Sequence, residues 1–433
     1  MILVMAIIVV ALTLAGSLQV LGALQAGSYK TELGLTWRVF LEVSVCCRGV
    51  PLYVSAGSGT VGVLVYYQGN STTILYIINI NNNKIFKYKF KSYKPAYINY
   101  ESGYYDTILY DEQGRVKELI YTPNNNSISI TPGFTLNLGA PTIINGVIVQ
   151  HNTYYFYGSK IIKNMGMVGF IAKVTPAGVV KQLQGYNNSG PLSSIIDAAL
   201  DKQNDTIYAI IVPTGKTGAH PELLEINANS LEVERNSTLE APLIPTSIAV
   251  DGGDIIVSEA NGNGSTLQIY SKQNLSIIKH IYIENIFIKH ILYYKNYIIL
   301  GGSYENRTTD TLQGLISALA MPTLKPKGTL LVTGRGNVDI TAMAKSNIGI
   351  IIGGTQNDIP YAAIVSVKQV AIPEQNNSTT KIIKNNNNLK IVIILIIIIV
   401  TLALYIRNTL SKRNNKPGTH NEGGKEAKQA GPK

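Results

Sequence analysis

The sequence predicts an all-β fold, a β-propeller of about seven four-stranded blades, with a C-terminal transmembrane helix after it. Three observations support this fold class. A strand–turn–strand unit recurs at intervals of 44 to 55 residues through the middle of the chain. Additional strand-like segments precede its first copy, and an uncharged apolar run lies near the C-terminus. A four-stranded unit of this length is typical of a propeller blade.

The recurring unit is clearest in the copies that begin at Ser194, Ser247, His290 and Asp339, and a looser copy begins at Ala140. Each copy alternates apolar and polar residues, turns at Asp, Asn, Gly or Lys, and resumes with β-branched residues. This pattern predicts two paired strands. The positions that correspond between the copies are Gly57, Gly103, Gly158, Ile211, Ser258, Gly302 and Gly354.

A second half-unit follows the small residues, as in GMVGFIAKVTPAGVV from Gly166 and QGLISALAMPTLKPKG from Gln313. Together the two halves predict four strands per unit. The pattern resembles that of extracytoplasmic β-propeller-repeat surface proteins of the archaeal type, whose units also run Gly-Gly-Ser/Thr, Phe-Ile-Ala-Lys-Val and Gly. The resemblance covers most of residues 50–370 and implies a fold without implying an activity.

The two ends of the repeat region predict how the ring closes. The seventh copy ends near Val370, with room for only two strands, and the segments 36–44 and 50–56 lie upstream of the first copy. We expect these two segments to complete the last blade, because closure removes open sheet edges. Six or eight blades are the alternatives. Residues 27–389 show no useful helical periodicity, which excludes folds with crossover helices.

Residues 391–406 form sixteen consecutive uncharged, mostly aliphatic residues between Lys390 and Arg407. As a helix they cover about 24 Å, and the stems of the flanking cations can add the missing length. We predict a transmembrane helix at 390–407 and, after it, a basic cytoplasmic tail at 408–433, because short basic flanks stay in the cytoplasm. Residues 373–389 are polar, rich in Asn and low in complexity, which is typical of a flexible stalk.

The first 26 residues are apolar and rich in small side chains, as in a secretory signal peptide, although no Lys or Arg precedes the apolar core. An uncleaved N-terminal anchor is the alternative. With either reading we expect residues 27–372 to form an exported domain on a single-pass cell-membrane protein. Ten Asn-x-Ser/Thr acceptors, all before the apolar run, agree with export. They are Asn70, Asn125, Asn187, Asn204, Asn236, Asn263, Asn274, Asn306, Asn376 and Asn377.

The net charge bears on whether the protein binds nucleic acid, and the two cysteines bear on whether it contains a disulfide. The formal net charge is +11, but the flanks and tail of the apolar run contribute much of it, which argues against a nucleic-acid-binding groove. Only Cys46 and Cys47 are present, and two thiols or a strained vicinal disulfide are the alternatives.

No motif predicts catalysis or a bound cofactor. Gly57 to Gly62 match a GxGxxG pattern, but strand-like residues follow where a dinucleotide site needs a helix. The five histidines lack metal-ligand spacing. Turns with several carboxylates, such as Asp251 with Asp254, leave calcium as an open alternative.

One segment, Lys84 to Lys94, predicts a strand with lysines on one face and aromatic residues on the other. We name Lys87, Lys89 and Lys91 the cationic strip. It would bind an anionic polysaccharide or lipid headgroups, and the alternative is an outer strand that its lysines protect from aggregation.

The function predicted is that of a cell-surface module for binding, adhesion or envelope structure, with an envelope protein or a glycan as its partner. The alternative is an anchored extracytoplasmic enzyme, either a carboxylate-dependent hydrolase or lyase or a cofactor-holding oxidoreductase. An enzyme should gather acids or histidines at one end of the central channel.

Overall fold

The computed structural model describes residues 29–41, 48–57, 59–124, 127–139, 141–163, 165–186, 192–213, 220–239, 243–321 and 323–371. The chain divides into two units, residues 1–372 and 373–433. All described residues belong to the first unit. The predicted stalk, transmembrane helix and tail lie outside them, as do the predicted leader, Cys46 and Cys47.

Seven four-stranded antiparallel sheets make up the described part of the first unit, which confirms the predicted seven-bladed propeller. We number the blades in chain order from the first complete one. The strands of blades 1 to 3 are β2 (Gly49–Gly57), β3 (Thr60–Tyr67), β4 (Thr72–Asn79), β5 (Ile85–Lys91), β6 (Lys94–Glu101), β7 (Tyr104–Tyr110), β8 (Arg115–Pro123), β9 (Ile128–Asn137), β10 (Thr142–Gln150), β11 (Thr153–Ile162), β12 (Gly166–Val174) and β13 (Val180–Tyr186).

Blades 4 to 6 follow the same order, from the innermost strand outward. Their strands are β14 (Ser193–Asp201), β15 (Thr206–Pro213), β16 (Glu222–Asn227), β17 (Val233–Thr238), β18 (Ile244–Asp251), β19 (Asp254–Asn261), β20 (Gly264–Ser271), β21 (Ile277–Glu284), β22 (Ile286–Tyr294), β23 (Tyr297–Asn306), β24 (Thr311–Ala320) and β25 (Lys325–Val332). A single-turn 3₁₀ helix, Gln68–Asn70, connects β3 to β4.

Blade 7 closes the ring. It contains β26 (Val338–Ser346), β27 (Gly349–Gln356) and β28 (Ile359–Ala371), and its outermost strand is the N-terminal β1 (Tyr29–Phe40). The pairing of β1 with β28 extends from Tyr29 opposite Ala371 to Phe40 opposite Tyr361. Closure by the N-terminus is therefore confirmed, but the prediction that two N-terminal strands complete the blade is wrong. The segment 50–56 belongs to β2, the innermost strand of blade 1, because the seventh copy itself supplies three strands.

The apolar core is divided among seven clusters, one at each joint between neighbouring blades. Middle strands are buried on both faces, so they read as continuous aliphatic runs such as Ile255 to Val257, each fully buried. The cluster at the joint between blades 7 and 1 includes Val54 and Ile364, with Trp37 of β1 packed against it. The closing joint is thus packed like the other six.

The Gly-Gly pairs of the repeat have a specific steric cause. A Cβ on Gly354 would overlap the carbonyl oxygen of Asp339 in the neighbouring strand of the same blade. A Cβ on Gly353 would lie 2.8 Å from the Pro51 and Val54 side chains of blade 1. Gly302 and Gly301 make the equivalent approaches in blade 6, to the Phe287 carbonyl and to Met343. The second glycine of each pair therefore leaves room for the backbone of its own blade. The first glycine leaves room for side chains of the next blade.

Three of the predicted corresponding positions are out of register. One of them, Ser258, is displaced by a single residue, because it lies opposite the residue that follows the bulge. Gly158, Ile211, Gly302 and Gly354 each lie on a second strand, opposite the residue that precedes a bulge in the first. Gly57, however, ends β2, and Gly103 lies in the turn between β6 and β7. Blades 1 and 2 place Val65 and Leu109 at the corresponding site. The GxGxxG match starts at Gly57, the last residue of β2, and ends at Gly62 within β3, so a strand lies where a dinucleotide site needs a helix.

Replacing Gly354 by Ala should lower the free energy of unfolding by about 1–3 kcal/mol, because the added methyl group meets backbone that cannot move without disturbing the pairing of β26 with β27. Gly253→Ala is the control, since a Cβ there meets nothing within 4 Å. Chemical denaturation of the full-length protein in detergent measures both changes. Equal stabilities for the two variants would contradict this account of the Gly-Gly pair.

Candidate functional site

The innermost strand of every blade contains one β-bulge at the corresponding position of the strand. Bulges redirect side chains locally. The residues at the seven bulges are Leu52, Ala96, Asn145, Ile196, Thr246, Lys289 and Thr341. All of these except Ala96 line one cavity of about 460 Å³ in the central channel. Since bulges are often found next to functional sites, this cavity is the candidate site.

Three bulge side chains join their blade to the next one by the same hydrogen bond. Asn145 donates from Nδ2 to the Ile195 carbonyl at 2.7 Å. The Thr246 hydroxyl donates to the Ile288 carbonyl at 2.8 Å, and the Thr341 hydroxyl donates to the Pro51 carbonyl at 2.6 Å. Each acceptor is the residue just before the next bulge. The last of these bonds crosses the closing joint between blades 7 and 1.

Tyr53 makes a longer connection across the channel wall. Its hydroxyl donates to the Asn145 carbonyl of blade 3 at 2.8 Å, so the side chain extends from blade 1 beyond blade 2. The bulge residue of blade 2 is Ala96, which is small and fully buried. Burial raises the pKa of Tyr53, which keeps the phenol protonated and able to donate.

Asp197 is a half-buried carboxylate in the cavity wall that connects three blades. Its Oδ1 accepts from the Tyr157 hydroxyl of blade 3 at 3.1 Å and from its neighbouring amide, Ala198, at 2.9 Å. Its Oδ2 accepts from the Ile248 amide of blade 5 at 2.9 Å, and the Ser247 hydroxyl also bonds the carboxyl. Burial raises the pKa of Asp197, and these hydrogen bonds oppose the rise.

Lys289 and His290 line the cavity from blade 6, two blades after Asp197. The Lys289 ammonium contacts Asp339 Oδ2 at 2.5 Å, and the Ser303 hydroxyl donates to Asp339 Oδ1 at 2.5 Å. Burial lowers the pKa of His290, opposed by a hydrogen bond to the Thr341 backbone. The imidazole is therefore neutral at pH 7 and is held against blade 7.

A second buried acidic site, which the sequence did not predict, lies between blades 2 and 3. Asp106 of β7 and Glu118 of β8 are hydrogen-bonded to each other, and Tyr154 donates to Glu118 Oε1 at 2.7 Å. Glu118 Oε2 accepts from the Phe134 amide at 3.1 Å. Burial, together with repulsion from Glu118, raises the pKa of Asp106 to about 8. The two carboxyl groups therefore retain a shared proton at neutral pH.

The predicted cationic strip lies on β5, the outer strand of blade 1. Lys87, Lys89 and Lys91 are exposed, and the aromatic residues between them are half-buried against blade 2. Exposed lysines alternate with half-buried aromatic residues along β5, as predicted. The ligand of the cationic strip stays a prediction. β5 pairs with β4, which contains neither Asp nor Glu.

The glycan acceptors fall on both described and undescribed parts of the chain. Asn125, Asn187, Asn376 and Asn377 lie outside the described residues. Asn306 is half-buried, and the five exposed acceptors are Asn70, Asn204, Asn236, Asn263 and Asn274. Whether any of them is modified stays a prediction.

The histidines and the acidic turns do not converge. His280 lies on the outer strand of blade 5, whereas His290 lies on the inner strand of blade 6. Within the described ranges, no group of three His, Cys, Asp or Glu side chains is placed to hold a metal ion. Calcium binding therefore stays untested. No helix among the described residues has the length and apolar character needed to cross a bilayer.

The sequence did not single out Asp197, Asp106 or Glu118, although a weak signal was present. Each is a carboxylate inside a strand whose neighbours are mainly apolar, where an acid is costly unless it has hydrogen-bond partners. That signal indicates a buried, bonded group, but it does not identify the partner blade.

Comparison with solved structures finds one chain whose similarity supports the propeller fold. One chain in a crystal structure of a mitotic checkpoint complex aligns with 76% of this chain and 91% of its own length, at 8% identity and a TM-score of 0.50. The crystal structure of Sqt1 from Saccharomyces cerevisiae covers 73% of this chain and 96% of its own, at 9% identity and a TM-score of 0.48. No protein-family profile and no curated protein matches the sequence. At such low identity, likeness indicates fold and not activity.

The buried Asp106–Glu118 pair predicts a pH-dependent stability. An Asp has a pKa near 3.9 in an unfolded chain, so between about pH 4 and 8 the folded protein holds a proton that the unfolded chain has lost. This contribution is present at low pH and is lost as the pH rises through 8. Asp106→Asn, whose amide does not titrate, should therefore gain roughly 1–3 kcal/mol relative to wild type between pH 5 and pH 9.

Denaturant unfolding of both proteins at the two pH values measures this difference. Asp310→Asn is the control, because Asp310 is an exposed turn residue. The shared-proton account fails if wild type and Asp106→Asn respond equally to pH.

Proposed function

We propose that this protein is a cell-surface binding and scaffold module, anchored by the 391–406 segment, whose propeller binds an acidic polysaccharide of the envelope through the cationic strip. A propeller fold in itself suits a binding or scaffold role. Export, anchoring and the identity of the partner are proposals supported by the leader, the apolar run and the acceptor distribution.

The cationic strip is the single observation that carries the choice of partner. Three lysines at alternate positions of one strand are spaced about 7 Å apart, and all three are exposed. The residues opposite them on β4 are Tyr76, Ile74 and Thr72, and the Lys87 ammonium lies 6.0 Å from the centroid of the Tyr76 ring. A straight row of like charges suits a linear polyanion.

The strip also lies near an aromatic side chain. Trp37, the only tryptophan in the sequence, is half-buried on β1 of the neighbouring blade 7. Its Nε1 donates to Asn83 Oδ1 at 3.0 Å, in the turn that leads into β5. Aromatic rings have an apolar body and, in Trp, a polar edge, a combination that suits contact with sugars. The start of β5 therefore has an aromatic ring close to the lysines of the strip.

The channel groups favour a binding role over the enzymatic alternative. The enzyme hypothesis calls for acids or histidines in the channel, and Asp197 and His290 do lie there. Both are engaged in bonds between blades, Asp197 with three donors from blades 3 and 5 and His290 with the Thr341 backbone. Groups engaged in this way stabilise the ring, so we assign them to its architecture.

Replacing Lys87, Lys89 and Lys91 together by Gln should reduce the salt concentration that elutes the full-length protein from an acidic-glycan resin, because fewer counterions are released on binding. The matched control is Lys163→Gln, Lys181→Gln and Lys325→Gln, three exposed lysines elsewhere that change the net charge equally. Unchanged retention of the first variant would overturn the glycan assignment. Loss of binding to anionic lipid vesicles with unchanged glycan retention would assign the strip to a membrane surface.

The anchor has its own test. Replacing Leu395 and Ile398 by Lys places two charges near the centre of the apolar run, at a cost of about 2.5–3.5 kcal/mol each in a bilayer. The variant should move from the membrane fraction to the soluble fraction on carbonate extraction. Lys412→Gln with Arg413→Gln, in the tail, should leave the protein in the membrane fraction. Full membrane retention of the doubly charged variant would contradict the proposed anchor.

A further inference from the structure

The central cavity has hydrogen-bond donors left over after the bonds between blades are formed. The hydroxyls of Tyr53, Tyr157, Thr246 and Thr341 all donate to protein groups, as does the amide of Asn145. These groups hold the wall and have no proton to offer a ligand. The donors that remain identify what the cavity can bind.

Two of the remaining donors are phenols near the start of the inner strands. Tyr110 lies opposite Lys94, and its oxygen is bonded by the Ile144 backbone. Because that bond uses a lone pair of the oxygen, the hydroxyl proton stays available. Tyr66 also lines the cavity, on β3 of blade 1. Burial raises the pKa of Tyr110 to about 12, so this phenol donates throughout the physiological range.

The other two remaining donors are ammonium groups in blades 2 and 6. Lys94 begins β6 of blade 2, and its contact with Glu112 is long, 3.5 Å, to a side chain that is 73% exposed. Such exposed pairs are weak, so this ammonium can turn to a ligand. Lys289 of blade 6 gives one proton to Asp339 and has two more.

Few acceptors balance these donors. Asp197 is the only carboxylate among the residues that line the described cavity, and each of its oxygens already accepts from the protein. The carboxylates that face the two ammonium groups are Glu112 and Asp339. Each carboxylate neutralises the charge of its ammonium group but uses only one of the three N–H donors. The cavity therefore favours a ligand rich in oxygen acceptors, bound weakly because the charges are already paired.

We propose that the central cavity binds a small dicarboxylate, with one carboxylate at Lys94, Tyr66 and Tyr110 and the other at Lys289. Lys94 and Lys289 line the cavity from blades 2 and 6, which are three blades apart around the ring, so each ammonium can face one end of an anion with two ends. The volume of about 460 Å³ lies within the range of about 300–1,000 Å³ that is usual for small-molecule sites. This site is separate from the cationic strip on β5, and it does not depend on the proposed glycan binding.

Calorimetric titration of the full-length protein in detergent with succinate tests the proposal, with acetate and glucose as comparison solutes at matched ionic strength. Succinate should bind more tightly than acetate, and glucose should give no heat of binding. Lys94→Met and Tyr110→Phe should each weaken succinate binding by about tenfold, the effect of losing one charged or buried hydrogen bond to the ligand. Tyr66→Phe should also weaken succinate binding, by less than either of these two changes.

The Lys87, Lys89 and Lys91 triple Gln variant is the matched control, and its succinate affinity should equal that of wild type. Its loss of glycan retention and the loss of succinate binding in Lys94→Met would be independent results, so the two proposals can fail separately. Lys289→Met is included with far-UV circular dichroism, because it leaves Asp339 without its ion pair. If that variant does not fold, the affinities of Lys94→Met and Tyr110→Phe for succinate still test the proposed site.

Three outcomes overturn the dicarboxylate site. Glucose binding as tightly as succinate would indicate a site that reads hydroxyl groups. Wild-type affinity in both Lys94→Met and Tyr110→Phe would place succinate elsewhere on the protein. The absence of any heat with succinate, at concentrations where the ionic-strength control is flat, would show that the donors bind only water.

Discussion

The pairing of β1 with β28 is the interaction on which the rest of the structure depends. Without it, blade 7 would have only three strands and would expose the edge of β28, and an exposed edge is a template for pairing with another chain. The pairing also connects the two ends of a fold that spans residues 29–371. Loss of β1 would therefore weaken the sheet of blade 7 and its contacts with both neighbouring blades.

Closure also explains why polar groups are concentrated at the centre. Seven blades meet most closely at their innermost strands, where the register of each strand shifts at a bulge. The bulge makes polar side chains available between blades, and Asn145, Thr246 and Thr341 use them to bond the following blade. The channel wall therefore contains these polar groups for a structural reason. A ligand in the channel can bind only to the donors and acceptors that the hydrogen bonds between blades do not use.

At the outer surface of the ring, the exposed edges of the outer strands are the main constraint. Outer strands have a free edge, and each blade protects its edge differently: blade 1 with alternating lysines, and blade 2 with Pro132 and a register shift in β9. Protection against aggregation and recognition of a partner use the same exposed residues. The cationic strip can serve both purposes, and its charge is the feature that would select an anionic partner.

The repeat and its alternation were sufficient to predict strands, four per blade, a ring of seven and the use of the N-terminus in closure. These features depend on local pattern and chain length, which the sequence contains directly. Assigning two N-terminal strands to the last blade was wrong, because the seventh copy supplies three strands, β26, β27 and β28, where the prediction allowed it only two. The positions Gly57 and Gly103 were misaligned because a small residue can serve a turn as well as a bulge.

Only the tertiary structure brought together Asp197 with Ser247 and Ile248, and Asp106 and Glu118 with Tyr154. These partners lie in different blades, and no periodicity specifies which side chains will meet across a joint. The sequence alone determined which segments are strands, since alternation and turns act over a few residues. The fold decided which buried carboxylates are tolerated, because a charge in a low-dielectric joint persists only where distant donors converge on it.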